Sequence, residues 1–262
     1  MTATASAIDG LADAQIRQYH ADGFLTVRRV LTDPEIDELA AEAGRVFARE
    51  DLKDSDNIRC RWSNHFQTDE CRFDCFDPVI DLSPVCARVA RHPRILAAVA
   101  ELYGEPAFLF KDKLIFKPPG AKGYNLHQDY ISWKSFPRSF VTVIVAIDSA
   151  AAGNGATEVF PGYHASGCLT PEDGMYHQLP EGAVDLSKGE TLDLQPGDVA
   201  IFSGFTPHRS GPNTSQQWRR LLYLSYNSAS DGGDQRDRHY AEFKDWLKDR
   251  YAEYGKVNVF FR

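Results

Sequence analysis

The stretch AFLFKDKLIFKPPGAKGYNLHQD, residues 107–129, opens on an apolar run, breaks at Pro118-Pro119-Gly120 and closes on His127-Gln128-Asp129. Residues 107–116 are rich in aromatic and branched side chains, as a strand is, and the Pro-Pro-Gly turn stops them. Short runs of the same kind follow at 140–147, 157–160, 191–194, 199–202 and 220–226, parted by turns such as Gly153-Asn154-Gly155 and Pro196-Gly197-Asp198. Many short strands with Gly and Pro turns predict a mainly β fold, a sandwich with helices packed outside it.

Upstream the periodicity is helical. Residues 12–20 form one candidate helix, and Thr32-Asp33-Pro34-Glu35 is a cap-and-start signal for a second. Ile36, Leu39, Ala40, Ala43 and Phe47 then repeat on one face. A third helix is expected over 93–102, stopped by Gly104 and Pro106. Between them, residues 51–84 mix charge, aromatics and turn formers, which predicts an irregular active-site loop. Residues 238–254 space Tyr240, Phe243, Trp246 and Leu247 as a helix that packs on the sandwich. No internal repeat is visible. The expected organisation is one domain over residues 1–262: helical to about 105, β core to about 230 and a C-terminal helix over about 236–254.

Composition narrows the function. The 37 acidic against 29 basic residues give a net charge of -8, which opposes binding to nucleic acid or an anionic membrane. The N-terminal MTATASAIDG lacks the basic and apolar regions of a secretory signal, and no apolar run is long enough to span a bilayer. The expectation is a cytoplasmic protein. Cys60, Cys71, Cys75, Cys86 and Cys168 show no paired zinc-knuckle spacing and read as reduced thiols.

The chemistry centres on His127-Gln128-Asp129. On an extended segment, residues two apart point to the same face, so an imidazole and a carboxylate converge. His208, after the Pro196-Gly197-Asp198 turn and the next β run, supplies a second imidazole. Two His and one carboxylate on one face of an octahedron are the ligand set of non-haem Fe(II) oxygenases. Alone, an HxD is more often a surface pair. Arg219, at the start of another β run, adds a guanidinium able to pair bidentately with a carboxylate, and Ser210 lies two residues beyond His208.

These segments, in this order, resemble the phytanoyl-CoA dioxygenase family of Fe(II)/2-oxoglutarate enzymes. The matching parts are Lys117-Pro118-Pro119, His127-Gln128-Asp129, Asn154-Gly155-Ala156-Thr157-Glu158-Val159-Phe160-Pro161-Gly162-Tyr163-His164, Gln195-Pro196-Gly197-Asp198, and His208-Arg209-Ser210 followed by Arg219. The resemblance implies a double-stranded β-helix, or jelly roll. It also implies Fe(II) held by His127, Asp129 and His208, and 2-oxoglutarate held through Arg219 with help from Ser210. A side chain of the strand before the Lys-Pro turn reaches the cosubstrate in relatives; Lys111 and Lys113 occupy it here. Some relatives place Trp on the strand after the HxD, where this chain has aliphatics around Ile144. The implied reaction consumes O2, releases succinate and CO2, and oxidises a small organic substrate. Asp129 favours hydroxylation, since related halogenases lack that carboxylate.

Substrate contacts are expected from Trp133, Tyr130 and Arg138 and, in the 59–66 segment, from Arg59, Arg61 and His65. Their guanidiniums suggest an anionic or zwitterionic metabolite such as an amino acid, phosphonate or natural-product intermediate. Desaturation, epimerisation or ring expansion by the same cofactors is an alternative outcome. A catalytically silent jelly-roll binding protein and a zinc hydrolase are readings from other classes; the hydrolase does not account for Arg219. Oligomeric state is not legible.

Overall fold

The computed structural model describes residues 10–53, 58–68, 70–133 and 135–255. The expectation for the extreme N-terminus falls almost wholly outside them. In chain order the elements are α1 (Asp13–Asp22), β1 (Phe24–Val27), α2 (Asp33–Phe47), β2 (Cys60–Asn64), β3 (Cys71–Phe76), α3 (Pro84–Val89), α4 (Pro93–Tyr103), β4 (Ala107–Lys117) and β5 (Tyr124–His127). They continue with β6 (Val141–Ala146), β7 (Thr157–Val159), β8 (Glu190–Thr191), β9 (Val199–Ser203), β10 (His208–Ser210), β11 (Arg219–Ser228) and α5 (Arg236–Tyr254). Among the described residues no helix is long and apolar enough to cross a membrane.

Local chemistry sets the helix ends. Glu35 returns its carboxylate to the Thr32 backbone N–H at 2.8 Å, a capping-box contact, and Pro34 sits in the first turn of α2. Gly104 closes α4 at φ 70°, a left-handed cap that costs glycine least.

The strands pair antiparallel in two sheets, one in the order β1-β9-β6-β11-β4-β3-β2 and one in the order β5-β10-β7-β8. Strand β6 shows how they stack. Val143 and Val145 join Leu39, Val99 and Phe116 in the core beneath the helices, whereas Ile144 and Ala146 pack in a second core with Val159 of the small sheet and the adjoining Ala156. Alternation with period two thus feeds both cores, and a strand buried on both faces reads as one apolar run. The result is a jelly roll with helices on its outer face, as expected.

Residues 51–84 correct the expectation of an irregular loop. They contain the β2–β3 hairpin, which extends the large sheet through Cys75 opposite Ile115 of β4, and α3 begins at their end. Polar side chains on the hairpin's inner face, Arg61 and Asp74 among them, line a cavity and so erase the apolar alternation that marks a strand. The run at 191–194 is also shorter than expected: only Glu190–Thr191 forms a strand, and Leu194 makes an isolated bridge to Ala150.

Candidate active site

Strand pairing assembles the metal ligands. His127 ends β5 and lies directly opposite His208, the first residue of β10, so the ring centroids are 4.2 Å apart. Asp129 Oδ1 is 3.7 Å from Nε2 of each histidine. One ligand atom from each of the three residues falls within 4.8 Å of the others. Gln128 turns the other way, its amide donating to the Gly167 and Phe205 carbonyls at 2.8 and 2.7 Å.

Each imidazole is oriented from behind. His127 Nδ1–H donates to the Asn125 carbonyl at 2.6 Å and His208 Nδ1–H to the Thr206 carbonyl at 3.0 Å, which fixes the tautomer with the lone pair on Nε2 of each ring. Burial, then the neighbouring His208, pushes the His127 pKa down to about 3; burial also lowers that of His208 against the pull of Asp129. Burial alone would raise the Asp129 carboxyl, but His208, Lys113, His127 and the Thr142 hydroxyl hold it below the usual carboxylate range. Two neutral imidazoles and one carboxylate are the protonation states a divalent metal needs.

Next to the ligands lies a small cavity lined by Lys113, His127, Thr157, His208, Ser210 and Tyr223, among others. Arg219, on β11, is 1% exposed and donates Nη1 to the Gly155 carbonyl at 2.7 Å. Its Nε has no hydrogen-bond partner among the described residues. Arg219 is not among the residues that line this cavity, but a buried guanidinium with an idle N–H suits a carboxylate ligand. The residues present therefore fit both an iron ion and a dicarboxylate.

A larger cavity of about 420 Å³ adjoins the small one, sharing Lys113, Ile115, Tyr124 and His127 and reaching Asp129. Phe136, Phe140 and Tyr176 form part of its wall, and Arg61, Asp77, Lys111 and Lys113 bring charge. Asp77 is shared by Lys111 at 3.1 Å and Arg61 at 3.7 Å, one carboxylate against two cations. Burial raises the Asp77 carboxyl, yet Lys111 and Arg61 win and hold it below its usual range. Asp74 accepts a short hydrogen bond from Tyr124. Lys113 lines both cavities and makes no ion pair among the described residues.

The sequence-derived residues thus divide. His127, Asp129 and His208 come together; Ser210 and Lys113 line the small cavity, and Lys111, Lys113 and Arg61 the large one. Trp133, Tyr130, Arg138, Arg59 and His65 are not among the residues that line the large cavity. Trp133 donates to the Gly174 carbonyl at 2.7 Å and packs against Phe243 and Trp246 of α5. Tyr130 stacks near Phe205, Arg138 pairs with Glu172 at 3.3 Å, and Arg59 with Asp81 at 2.8 Å. His65 accepts from the Gln67 N–H at 3.1 Å. Sequence reasoning missed Thr142, whose hydroxyl holds Asp129, although it is the one polar residue in the run Val141–Ala146. It also missed Lys117, 1% exposed and bonded to Ser210.

Comparison with known proteins places this site in a family. The profile described as Phytanoyl-CoA dioxygenase (PhyH) matches residues 19–221. The methylphosphonate hydroxylase of Gimesia maris is 31% identical over 241 residues, covering 88% of this chain and 86% of that protein. The 2-aminoethylphosphonate dioxygenase of an uncultured bacterium, HF130_AEPn_1, is 31% identical over 66% of this chain and 67% of its own length. The epimerase SnoN, crystallised in complex with Fe3+, alpha ketoglutarate and nogalamycin RO, shares the fold at TM-score 0.70 and 23% identity over 83% of each chain. The profile match spans α2, the β2–β3 hairpin and all three candidate metal ligands, so the chain belongs to the phytanoyl-CoA dioxygenase family.

Proposed function

We propose that this protein is an Fe(II)- and 2-oxoglutarate-dependent dioxygenase that hydroxylates a small organophosphonate. The observation that carries the reading is Lys113: a cation that makes no ion pair among the described residues, lining both cavities beside His127. Lys111 and Arg61, its cationic neighbours, share the single carboxylate of Asp77, so an incoming anion meets net positive charge on this wall. Exposed Lys122, which also lines the large cavity, adds positive charge there. Two relatives named for phosphonate oxidation support the same class.

His127, Asp129 and His208 would hold the iron from one side, leaving the opposite side for ligands. Arg219 and Ser210 would hold the distal carboxylate of 2-oxoglutarate, and Phe136, Phe140 and Tyr176 would shield the reacting C–H bond from water. Bound iron and 2-oxoglutarate supply the oxidising chemistry, with O2 consumed and succinate and CO2 released. The protein's part is to fix the position of the phosphonate relative to the ligands of the metal.

The test is a panel of small phosphonates and matched carboxylates with Fe(II), 2-oxoglutarate and O2. Succinate is quantified, and the phosphorus product is followed by NMR. Phosphonate-dependent succinate release with a hydroxylated product is expected. Release stimulated only by non-phosphonates would overturn the substrate class; none with any compound would overturn the activity.

A further inference from the structure

Lys117 takes no part in the reading so far, yet it is one of the most buried cations in the chain. It ends β4, inward-facing like Lys111 and Lys113, and its Nζ meets three oxygens: Gly211 O at 2.5 Å, Ser210 Oγ at 3.0 Å and Gly155 O at 3.3 Å. The two carbonyls can only accept. Three oxygens match the three protons of an ammonium group, so Ser210 accepts from Lys117 as well. The second lone pair of Ser210 Oγ takes the Tyr124 backbone N–H at 3.3 Å. With both lone pairs used, the hydroxyl proton has to point elsewhere, and Ser210 lines the small cavity beside His208.

We infer that Lys117 is a positioning residue: by filling the acceptor side of Ser210 it turns that hydroxyl into a donor aimed at the cosubstrate carboxylate. The fold reserves the space for it. A Cβ on Gly155 would lie 2.6 Å from Lys117 Nζ, and Gly155 stands at φ 74°, so a side chain is opposed by contact and by backbone alike. The Gly155 carbonyl also accepts from Arg219, so the two buried cations share an anchor at the end of the site where a carboxylate is expected. Burial and Arg219 lower the Lys117 pKa against the pull of Asp74, and an arriving carboxylate would act in the same sense as Asp74.

The inference rests on 2-oxoglutarate being the cosubstrate. It is tested by calorimetric binding of 2-oxoglutarate to the Mn(II)-loaded protein, with no turnover involved. Lys117→Met should weaken binding roughly tenfold to hundredfold, as expected for a lost charge-assisted hydrogen bond. Ser210→Ala should weaken it similarly, and the double variant no further than Ser210→Ala alone, because the lysine acts through the serine. Wild-type affinity in Lys117→Met, or losses that multiply in the double variant, would overturn the inference. If Lys117→Met does not fold, Lys117→Gln, which keeps N–H donors for the carbonyls, is judged by the same criteria. Failure of the wild-type protein to bind 2-oxoglutarate would instead overturn the proposed function.

Discussion

The Thr142 hydroxyl donates to Asp129 Oδ2 at 2.6 Å, reaching from the second residue of β6 to the one carboxylate among the metal ligands. Thr142 is 1% exposed in a strand otherwise made of aliphatics, and its bond leaves Asp129 Oδ1 turned toward both histidines. Thr142→Val keeps the shape and removes the hydroxyl. Metal affinity, measured by Mn(II) titration, is expected to fall about ten- to hundredfold with the fold intact, the usual cost of losing a group that orients a ligand. An unchanged affinity would show that the β5–β10 pairing alone fixes Asp129.

His239, on the buried side of α5, offers a test that does not involve the metal. It is 1% exposed, with Phe110 4.2 Å and Phe243 5.5 Å from its ring, and neither ring nitrogen has a hydrogen-bond partner among the described residues. Burial, then Lys111, lowers its pKa from 6.5 to about 3. Between those values the unfolded chain binds a proton that the folded chain refuses, so this residue's contribution to stability falls as pH drops from about 6.5 toward 3. His239→Phe should raise stability by about 1 to 3 kcal/mol, by relieving the unpaired nitrogens. Its thermal midpoint should exceed wild type by a margin that widens on acidification. A constant or reversed margin across pH would refute this account.

The histidine also shows where sequence reading stops. Metal ligands were legible because His127 and Asp129 are two apart on an extended segment and the later motifs fall in family order. The main β runs and four of the helices were legible for a related reason, as their apolar residues repeat with the period of the element. The β2–β3 hairpin was not, since Arg61, Asp74 and Cys75 face a polar cavity where a pattern reader expects apolar side chains. Lys117 reads as part of a turn motif; only the length of β4 brings it, rather than Lys111, to Ser210. Six residues from His127, Trp133 is bound to lie near the site, but spacing says nothing of direction once the strand has ended.

That direction makes Trp133 a residue of stability. Its indole N–H is used by Gly174, and its ring lies against Phe136, Phe243 and Trp246, joining the segment after β5 to α5. Trp133→Ala is expected to cost roughly 2 to 3 kcal/mol, below the full core value because the side chain is only partly buried. In denaturant unfolding the midpoint should fall, while the apparent substrate affinity of the folded fraction stays near wild type. A large rise in substrate KM at unchanged stability would return Trp133 to the substrate wall that the sequence suggested.

Lys113 decides between two assignments of one cation. The strand's resemblance to relatives gives it to 2-oxoglutarate, whereas the structure has it lining both cavities, its Nζ 4.9 Å from the Tyr223 ring centroid. Arg219, Ser210 and Lys117 already gather around Gly155, which is enough for the distal carboxylate of the cosubstrate. In the large cavity Lys111 and Arg61 are both tied to Asp77, two cations on one carboxylate. A phosphonate there would meet Lys113 as a cation outside any ion pair, and removing it leaves the anion beside the Asp129 carboxylate with less to offset the repulsion. Lys113→Met should therefore raise the substrate KM by roughly tenfold to hundredfold, in line with one charge-assisted contact, and change 2-oxoglutarate binding to the Mn(II)-loaded protein by less than about threefold. The effect on KM should shrink for an uncharged substrate analogue, because the lost interaction is electrostatic. If 2-oxoglutarate binding collapses while substrate KM holds, the lysine belongs to the cosubstrate, and the anionic character of the substrate loses its main support.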